Sequence, residues 1–210
     1  MLTAYTYDSK VTVSTSESPT RIAASKKAYH HGDLRTALVE TGLNLLEART
    51  ADDLSLREVA RAVGVSATAV YRHFPDKGAL MGALAGEGLV RLAAAQHAAS
   101  DAAGGGLAGF SATGAAYVRF ALANPGLFRL IFANPESIKL QPGAHQDDAM
   151  AFLQSNAALL AQGKGGDAQV IALQAWAIAH GLAMLMLDGQ VPVDEALIDR
   201  VIDVRAIGKK

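Results

Sequence analysis

An all-α fold is predicted by the composition of the chain and by the spacing of its apolar residues. Half of the 210 residues are apolar and 19% are charged, whereas aromatic residues, which strands favour, make up only 6%. From residue 33 onward, apolar side chains recur at steps of three and four, which is the period of one helix face. The chain has no cysteine, so disulfides, thiolate zinc sites and cysteine nucleophiles are excluded.

The first 28 residues differ from the rest of the chain. They are rich in Ser and Thr, lack a continuous apolar run, and carry Arg21, Lys26 and Lys27 near their end. This composition is not that of a signal peptide. We expect a disordered basic arm over residues 1–28.

Three short helices are predicted after this arm. The first begins at Asp33 and presents one apolar face. The second begins with the stretch Ser55-Leu-Arg-Glu58, which has the form of a capping box. A turn at Gly64 follows, and Ser66 caps a third helix that ends near Phe74.

Longer helices are predicted in the remainder of the chain. Asp76 can cap a fourth helix, which ends before the run Gly104-Gly105-Gly106. Five further helices are separated by segments rich in Pro, Gly and Asn. They are expected at Leu107 to Ala123, Pro125 to Ala133, His145 to Gln162, Asp167 to Leu187 and Asp194 to Ile207.

The segment Ala168 to Leu187 is long enough to span a membrane and has no Asp, Glu, Lys or Arg. It contains Gln169, Gln174 and His180, however, and neither end carries the Lys/Arg cluster that sets membrane topology. We therefore expect a buried helix, in a cytoplasmic protein that has no membrane contact.

The stretch LREVARAVGVSATAVYRHFP, residues 56–75, has the spacing of a helix-turn-helix. In that motif a small residue lies where the two helices cross, the turn tolerates positive φ, and the second helix buries a branched aliphatic side chain. Ala60, Gly64 and Val70 occupy these three positions. An ordinary helical hairpin, such as a partner-binding module without DNA affinity, has the same spacing by chance. The spacing alone leaves both interpretations open.

Residues 29–90 resemble the N-terminal part of the tetracycline-repressor (TetR) family. Val-Tyr-Arg-His-Phe at 70–74, followed by Pro-Asp-Lys-Gly-Ala-Leu at 75–80, is similar to the family signature. In that signature an aromatic-rich recognition helix runs into a lysine at the start of the fourth helix. Tyr29-His-His-Gly-Asp-Leu-Arg35 is similar to the start of helix 1 in many members.

This resemblance implies an architecture and a function. A helix-turn-helix DNA-binding domain is expected at residues 29–78, and a helical ligand-binding and dimerisation domain at residues 79–210. What is typical of the family implies a repressor that binds palindromic double-stranded operator DNA as a homodimer and is released by a small-molecule effector.

The matching positions imply how DNA is contacted. Tyr71, His73 and Lys77 match phosphate-contacting positions, and Ser55 can donate to another phosphate. Arg57 matches a base-reading position, where a guanidinium can donate to guanine O6 and N7. The predicted DNA-contacting set is Ser55, Arg57, Ser66, Thr68, Tyr71, Arg72, His73 and Lys77, with Lys26 and Lys27 of the arm. For the arm, a solvated tail is the alternative.

Two segments of the C-terminal half resemble the TetR subgroup whose regulatory domain is named for a Trp-His-Gly motif: residues 124–132 and Trp176-Ala-Ile-Ala-His-Gly181. This implies an effector-binding and dimerising domain. The candidate lining of a pocket for an apolar effector is Tyr117, Phe120, Phe128, Phe132, Phe152, Trp176, His180 and Met184. The alternative is that these side chains pack the core.

Two apolar stripes on Ala168 to Leu187 predict an interface between subunits. The core of one protomer can cover one stripe, and the second stripe would stay exposed unless another copy covered it. The helix Asp194 to Ile207 repeats this pattern. A four-helix interface with two-fold symmetry is therefore expected, against the alternative of a helix covered on all sides by its own domain.

An enzyme is the competing class of function. The histidines are scattered among carboxylates, but the sequence contains no His-Glu-x-x-His motif, serine nucleophile elbow or phosphate-binding loop. A separate class, proteins that coat nucleic acid through bulk positive charge, is disfavoured by the formal net charge of -1. We expect no catalysis, no cofactor and no metal.

Overall fold

A computed structural model describes residues 31–48, 50–133, 146–164 and 166–203 of the chain. All regular structure in these ranges is helical, which confirms the predicted all-α fold. The arm with Lys26 and Lys27 lies outside the described residues. The last helix, expected to reach Ile207, is shorter than predicted: it ends at Ile202, and Asp203 leaves the helical conformation with φ -60° and ψ 101°.

The helices of the described part occur close to their predicted positions. They are α1 (His31–Leu46), α2 (Leu56–Val63), α3 (Ala67–Tyr71), α4 (Lys77–Ala102), α5 (Gly106–Ala123), α6 (Pro125–Ala133), α7 (Gln146–Lys164), α8 (Ala168–Leu187) and α9 (Glu195–Ile202).

Short polar side chains and glycines set the helix ends. Asp76, Asp167 and Asp194 each accept a hydrogen bond from a backbone N–H in the first turn of α4, α8 and α9, at 2.8 Å in each case. These contacts satisfy donors that the start of a helix leaves without a partner. Between α4 and α5, the run at residues 104–106 has positive φ at all three glycines, which allows the two helices to pack against each other.

The first hydrophobic core joins α1, α2 and α3 to the N-terminal half of α4. Leu38, Val59, Val70 and Leu84 are completely buried in it. The short helix α6 adds residues to the same core, including the fully buried Ile131. The three N-terminal helices therefore complete their core with side chains from α4 and α6.

A second core lies between α5, α6, α8 and α9. Val118, Phe128 and Ile198 are completely buried there. A third, smaller cluster packs Phe110 of α5 and Leu160 of α7 with the first turns of α8. Since α5 contributes to both clusters, it is the central helix of the C-terminal half.

Two glycines permit helices to approach each other closely. A Cβ added at Gly88 of α4 would lie 2.8 Å from Leu127 Cδ1 of α6. A Cβ added at Gly114 of α5 would lie 2.5 Å from Ile202 Cγ2 of α9. The absence of a side chain at these positions lets α6 pack on α4, and α9 on α5.

By length and composition alone, α4 and α8 are apolar enough to cross a membrane. Both pack along α5 in this fold, and α4 carries the ion pair between Glu87 and Arg91. Core helices of helical proteins pass the same test. The packing supports a core helix at Ala168–Leu187 on one side only, because Val170, Leu173 and Leu185 on this helix stay exposed.

Gly114→Ala should destabilise the protein, although Ala is the better helix former. The added Cβ would collide with a methyl group of the stiff, β-branched Ile202. Overpacking of this kind costs about 1–3 kcal/mol, and the gain in helix propensity offsets only about 1 kcal/mol of it. Urea unfolding at one protein concentration measures the change.

Gly86→Ala in α4 is the matched control, because a Cβ there meets nothing within 4 Å. This substitution should stabilise the protein by about 0.5–1 kcal/mol. If both variants were equally stable, α9 would not pack on α5 as closely as the structure indicates.

Candidate DNA interface and regulatory site

The turn between α2 and α3 is a Schellman motif. Gly64 has φ +81° and ψ 29°, the Gly64 N–H donates to Arg61 O at 3.2 Å, and the Val65 N–H donates to Ala60 O at 2.9 Å. A Cβ at Gly64 would meet nothing within 4 Å. The backbone conformation, rather than lack of space, therefore requires glycine here.

The other two helix-turn-helix positions are buried as the spacing predicted. Ala60 is 3% exposed at the crossing of the two helices, and Val70 is completely buried. Phe74, just after α3, packs into the same core, and the Arg35 guanidinium lies 5.2 Å from the centre of its ring. This cation–π contact holds the end of the α3 segment against α1.

Packing of these residues leaves a polar face on α2 and α3. Arg57 on α2, together with Thr68, Tyr71 and Arg72 from α3 and its C-terminal end, is exposed. His73 is half-buried. With Ser66, which is also exposed, five of the predicted contact residues are thus accessible on the motif.

Both predicted serines act as helix caps. The Ser55 hydroxyl accepts a hydrogen bond from the Glu58 N–H at 3.3 Å, and the Ser55 N–H donates to Glu58 Oε2 at 3.2 Å. These two contacts form the predicted capping box. The Ser66 hydroxyl accepts from the Ala69 N–H at 3.2 Å. The two hydroxyl groups therefore fix the N-termini of α2 and α3.

Lys77 has a contact that its sequence position does not indicate. Its Nζ donates to the backbone oxygen of Asp52 at 2.6 Å. The side chain thus joins the start of α4 to the loop between α1 and α2. No local sequence signal indicates this pairing, because the two residues are 25 positions apart.

The face is locally basic although the whole chain is not. Residues 55–77 contain the cations Arg57, Arg61, Arg72 and Lys77 and only two acidic residues. A surface with this balance attracts phosphate without a high total charge.

In the C-terminal half, five of the predicted lining residues form an aromatic cluster around Tyr117. They are Tyr117, Phe128, Phe132, Trp176 and His180. The Tyr117 ring lies 5.4 Å from Phe128, and the His180 ring lies 4.9 Å from Phe132, measured between ring centres. Since Phe128 is completely buried, much of this cluster is core.

Three polar atoms of the cluster form a chain of hydrogen bonds. Trp176 Nε1 donates to the Tyr117 hydroxyl oxygen at 3.4 Å, and that oxygen lies 2.8 Å from His180 Nδ1. Burial lowers the pKa of His180 and raises the pKa of Tyr117. Both groups therefore stay neutral near pH 7.

The other predicted lining residues have different neighbours. Phe152 of α7 packs on His97 of α4 with ring centres 4.2 Å apart. Phe120 packs against both large cores, and Met184 packs against the second. Phe152 therefore lies apart from the aromatic cluster, whereas Phe120 and Met184 pack against the core that contains Tyr117 and Phe128.

A groove between α7 and α8 was not predicted. Its volume is about 540 Å³, and its lining includes Leu153 and Ala158 of α7 and Ala172, Leu173 and Trp176 of α8. Of the predicted lining residues, only Trp176 is part of it. The described residues contain no group of three or more His, Asp and Glu side chains suited to a metal ion.

Comparison with known families matches both halves of the chain. Residues 38–84 match the model of bacterial regulatory proteins of the tetR family. Residues 110–204 match the model of the tetracyclin repressor-like C-terminal domain. An uncharacterized HTH-type transcriptional regulator of Haemophilus influenzae is 44% identical over 54 residues. That alignment spans only 26% of the relative's length.

Similar solved structures extend over most of the chain. A protein with unknown function from a Rhodococcus species is 37% identical, with a TM-score of 0.69, over 86% of this chain and 95% of the other. A tetR-family transcriptional regulator of Streptomyces coelicolor is 20% identical, with a TM-score of 0.59, over 82% and 78% of the two chains. A TetR family regulator of Marinobacter aquaeolei is 19% identical, with a TM-score of 0.63, over 81% and 92%.

The structures from Streptomyces coelicolor and Marinobacter aquaeolei support the fold alone. Membership of the Trp-His-Gly subgroup stays a prediction. The two family models, however, together cover more than half of the sequence and meet the two halves of the observed architecture. The chain belongs to the TetR family of bacterial transcriptional regulators.

Proposed function

We propose that this protein is a cytoplasmic, ligand-responsive repressor that binds palindromic operator DNA as a homodimer and leaves it when a small molecule binds. The observation that carries the proposal is the exposed face of α2 and α3 with Arg57, Thr68, Tyr71 and Arg72. Membership of a family of transcriptional regulators excludes the catalytic alternative. A partner-binding module without DNA affinity is the remaining alternative.

The DNA contacts divide into two groups. Tyr71, His73 and Lys77, with the N-termini of α2 at Ser55 and α3 at Ser66, are the proposed phosphate contacts, which set affinity and register. Arg57 and Thr68 are the proposed base contacts, which set sequence preference. Arg72 is exposed beside them. Lys26 and Lys27 of the arm are proposed as additional contacts to the DNA backbone.

The exposed apolar residues support a homodimer through α8 and α9. On α8, Val170, Leu173 and Leu185 are 50%, 61% and 41% exposed, and on α9 Val201 is 39% exposed. By contrast, Ile171 and Leu182 on the same helix are buried, each 7% exposed. Single chains seldom leave so many large apolar side chains in water. A two-fold interface would also pair the recognition helices at the spacing of about 34–36 Å that successive major grooves need.

The position of α6 supports a route from the regulatory site to the DNA-binding domain. Leu127 and Ile131 pack in the first core with α1 and α4. Phe128 and Phe132 contact the His180 ring, with ring centres 5.6 Å and 4.9 Å away. A ligand that moves the aromatic cluster would therefore also move α4, against which the three N-terminal helices pack. Release of DNA requires that the ligand binds the two arrangements with different affinity.

Arg57→Ala should lower affinity for the operator by about 1–3 kcal/mol and affect random DNA little, because its proposed role is base recognition.

Lys77→Ala should weaken binding to both DNAs alike and reduce the salt dependence by about one ion. Electrophoretic shift and fluorescence anisotropy measure both, with DNA from directly upstream of the protein's own gene.

Arg61→Ala is the control for Arg57, because it removes the same charge from the exposed side of the same helix. Its effect should be similar on operator and random DNA. Equal losses on the two DNAs for Arg57→Ala would contradict a base contact. If the parent protein bound neither DNA more tightly than a non-specific protein does, the partner-binding alternative would replace the proposed function.

Leu185→Arg combined with Val201→Arg should produce a folded monomer with weak operator binding. Charged side chains cannot be buried in an apolar interface without a partner. Loss of the second recognition helix should then reduce affinity by a factor of about 10² or more. Ile202, which is 6% exposed and packs on Gly114, is unsuited to this test because its replacement would damage the core.

Sedimentation velocity and circular dichroism check this outcome. Leu107→Arg is the matched control, because Leu107 is an apolar residue of similar exposure, 42%, at the start of α5. It should leave the association state unchanged. A double variant that sediments like the parent would refute an interface at α8 and α9.

A further inference from the structure

The groove between α7 and α8 has the size of a small-molecule site. Its volume of about 540 Å³ lies within the range of about 300–1,000 Å³ that is usual for ligand pockets. It is partly open to solvent, so a ligand can reach it without unfolding of either helix. Leu153 and Ala158 form one wall, and Ala172 and Leu173 form the other.

The side chains of the groove define the chemistry of its ligand. None of the described residues that line it carries an ionisable side chain, and the polar groups are the amides of Gln154 and Gln169. A side-chain amide can both donate and accept hydrogen bonds, whereas a charged group would lose its hydration without a counter-ion. The lining therefore favours an uncharged, largely apolar molecule with one or two hydrogen-bonding groups.

Trp176 connects this groove to the aromatic cluster. It lines the groove, and its Nε1 donates to the Tyr117 hydroxyl on the other side of the indole. An indole N–H can only donate, so the Tyr117 oxygen is the acceptor in this contact. A ligand that displaces the indole must lengthen or break that hydrogen bond.

Donors and acceptors follow one another along this chain of hydrogen bonds, from Trp176 through Tyr117 to His180. With its oxygen accepting from Trp176, Tyr117 keeps its hydroxyl hydrogen paired by donating to His180 Nδ1. This arrangement places the imidazole hydrogen on Nε2 and leaves His180 neutral, in agreement with its burial. A shift of Trp176 is thus transmitted to His180, whose ring contacts Phe128 and Phe132 of α6.

We propose that the α7–α8 groove binds an uncharged, predominantly apolar small molecule, and that Trp176 transmits its presence through Tyr117 and His180 to α6. The effect of the small molecule on DNA binding rests on the proposed function, whereas its binding in the groove does not. Leu173 also lies on the face assigned to the homodimer, so a second copy of the chain is the competing occupant.

The chain has a single tryptophan, which makes Trp176 fluorescence a direct probe of the groove. Two dyes of nearly the same shape test the charge preference: neutral N-phenyl-1-naphthylamine and anionic 8-anilino-1-naphthalenesulfonate. The neutral dye should quench Trp176 and saturate, with a Kd at least tenfold lower than that of the anionic dye. Equal or tighter binding of the anionic dye would overturn the proposed ligand class.

Ala158→Phe fills the groove and should weaken binding of the neutral dye at least tenfold. Ala94→Phe adds the same side chain to an exposed position of α4, outside the groove, and should bind the dye like the parent. If dye affinity were the same in both variants, the groove would not be the site. If the parent dimer failed to bind the dye while Ala158→Phe became monomeric, a second copy would occupy the groove and the proposal would be overturned.

Transmission is tested by linkage between dye and DNA. In the parent, the factor by which the dye weakens operator binding should equal the factor by which operator weakens dye binding. Tyr117→Phe removes the hydroxyl that joins Trp176 to His180, so both factors should fall towards one. Unchanged factors would refute the hydrogen-bonded route. A parent that binds dye but no operator would instead remove the proposed function and leave the groove assignment standing.

Discussion

The short helix α6 packs against two hydrophobic cores at once and thereby holds the N-terminal helices against the C-terminal half of the chain. Leu127 and Ile131 fit over Gly88 of α4, where any side chain would collide with them. On the other side, Phe128 is completely buried next to Tyr117. A helix of nine residues cannot move independently of either core, because both of its apolar sides are in close contact. The helix-turn-helix and the C-terminal helices are therefore held together through α6.

Exposed ion pairs link several of these helices without contributing much stability. Arg91 of α4 contacts Glu40 of α1 at 2.6 Å, and Arg119 of α5 contacts Glu195 of α9 at 2.7 Å. Arg129 of α6 pairs with Asp188 at the end of α8. Exposed pairs of this kind are worth about 0–1 kcal/mol each. Each ion pair links two helices that the apolar cores also bring together.

The helix-turn-helix was predictable because its determinants are local. The capping box at Ser55 and the left-handed turn at Gly64 depend on residues within a few positions of each other. The contacts of the aromatic cluster and of the groove were less predictable. An aromatic residue on an apolar helix face has the same sequence pattern whether it packs the core, as Phe128 does, or lines a groove, as Trp176 does. Phe152 could not be assigned to His97 without knowing that α4 and α7 lie side by side.

The all-α class, the start of most helices and the α2–turn–α3 motif could be predicted from the sequence, because propensity, capping and turn chemistry act over short stretches of chain. The end of α9 could not, since the apolar pattern continues to Ile207 whereas the helix ends at Ile202. Which side chains meet depends on the packing of the helices. The bond from Lys77 to Asp52, the chain of Trp176, Tyr117 and His180, and the groove between α7 and α8 all join residues far apart in sequence. Such contacts depend on how helices cross, and the crossing is set by the shapes of many side chains together.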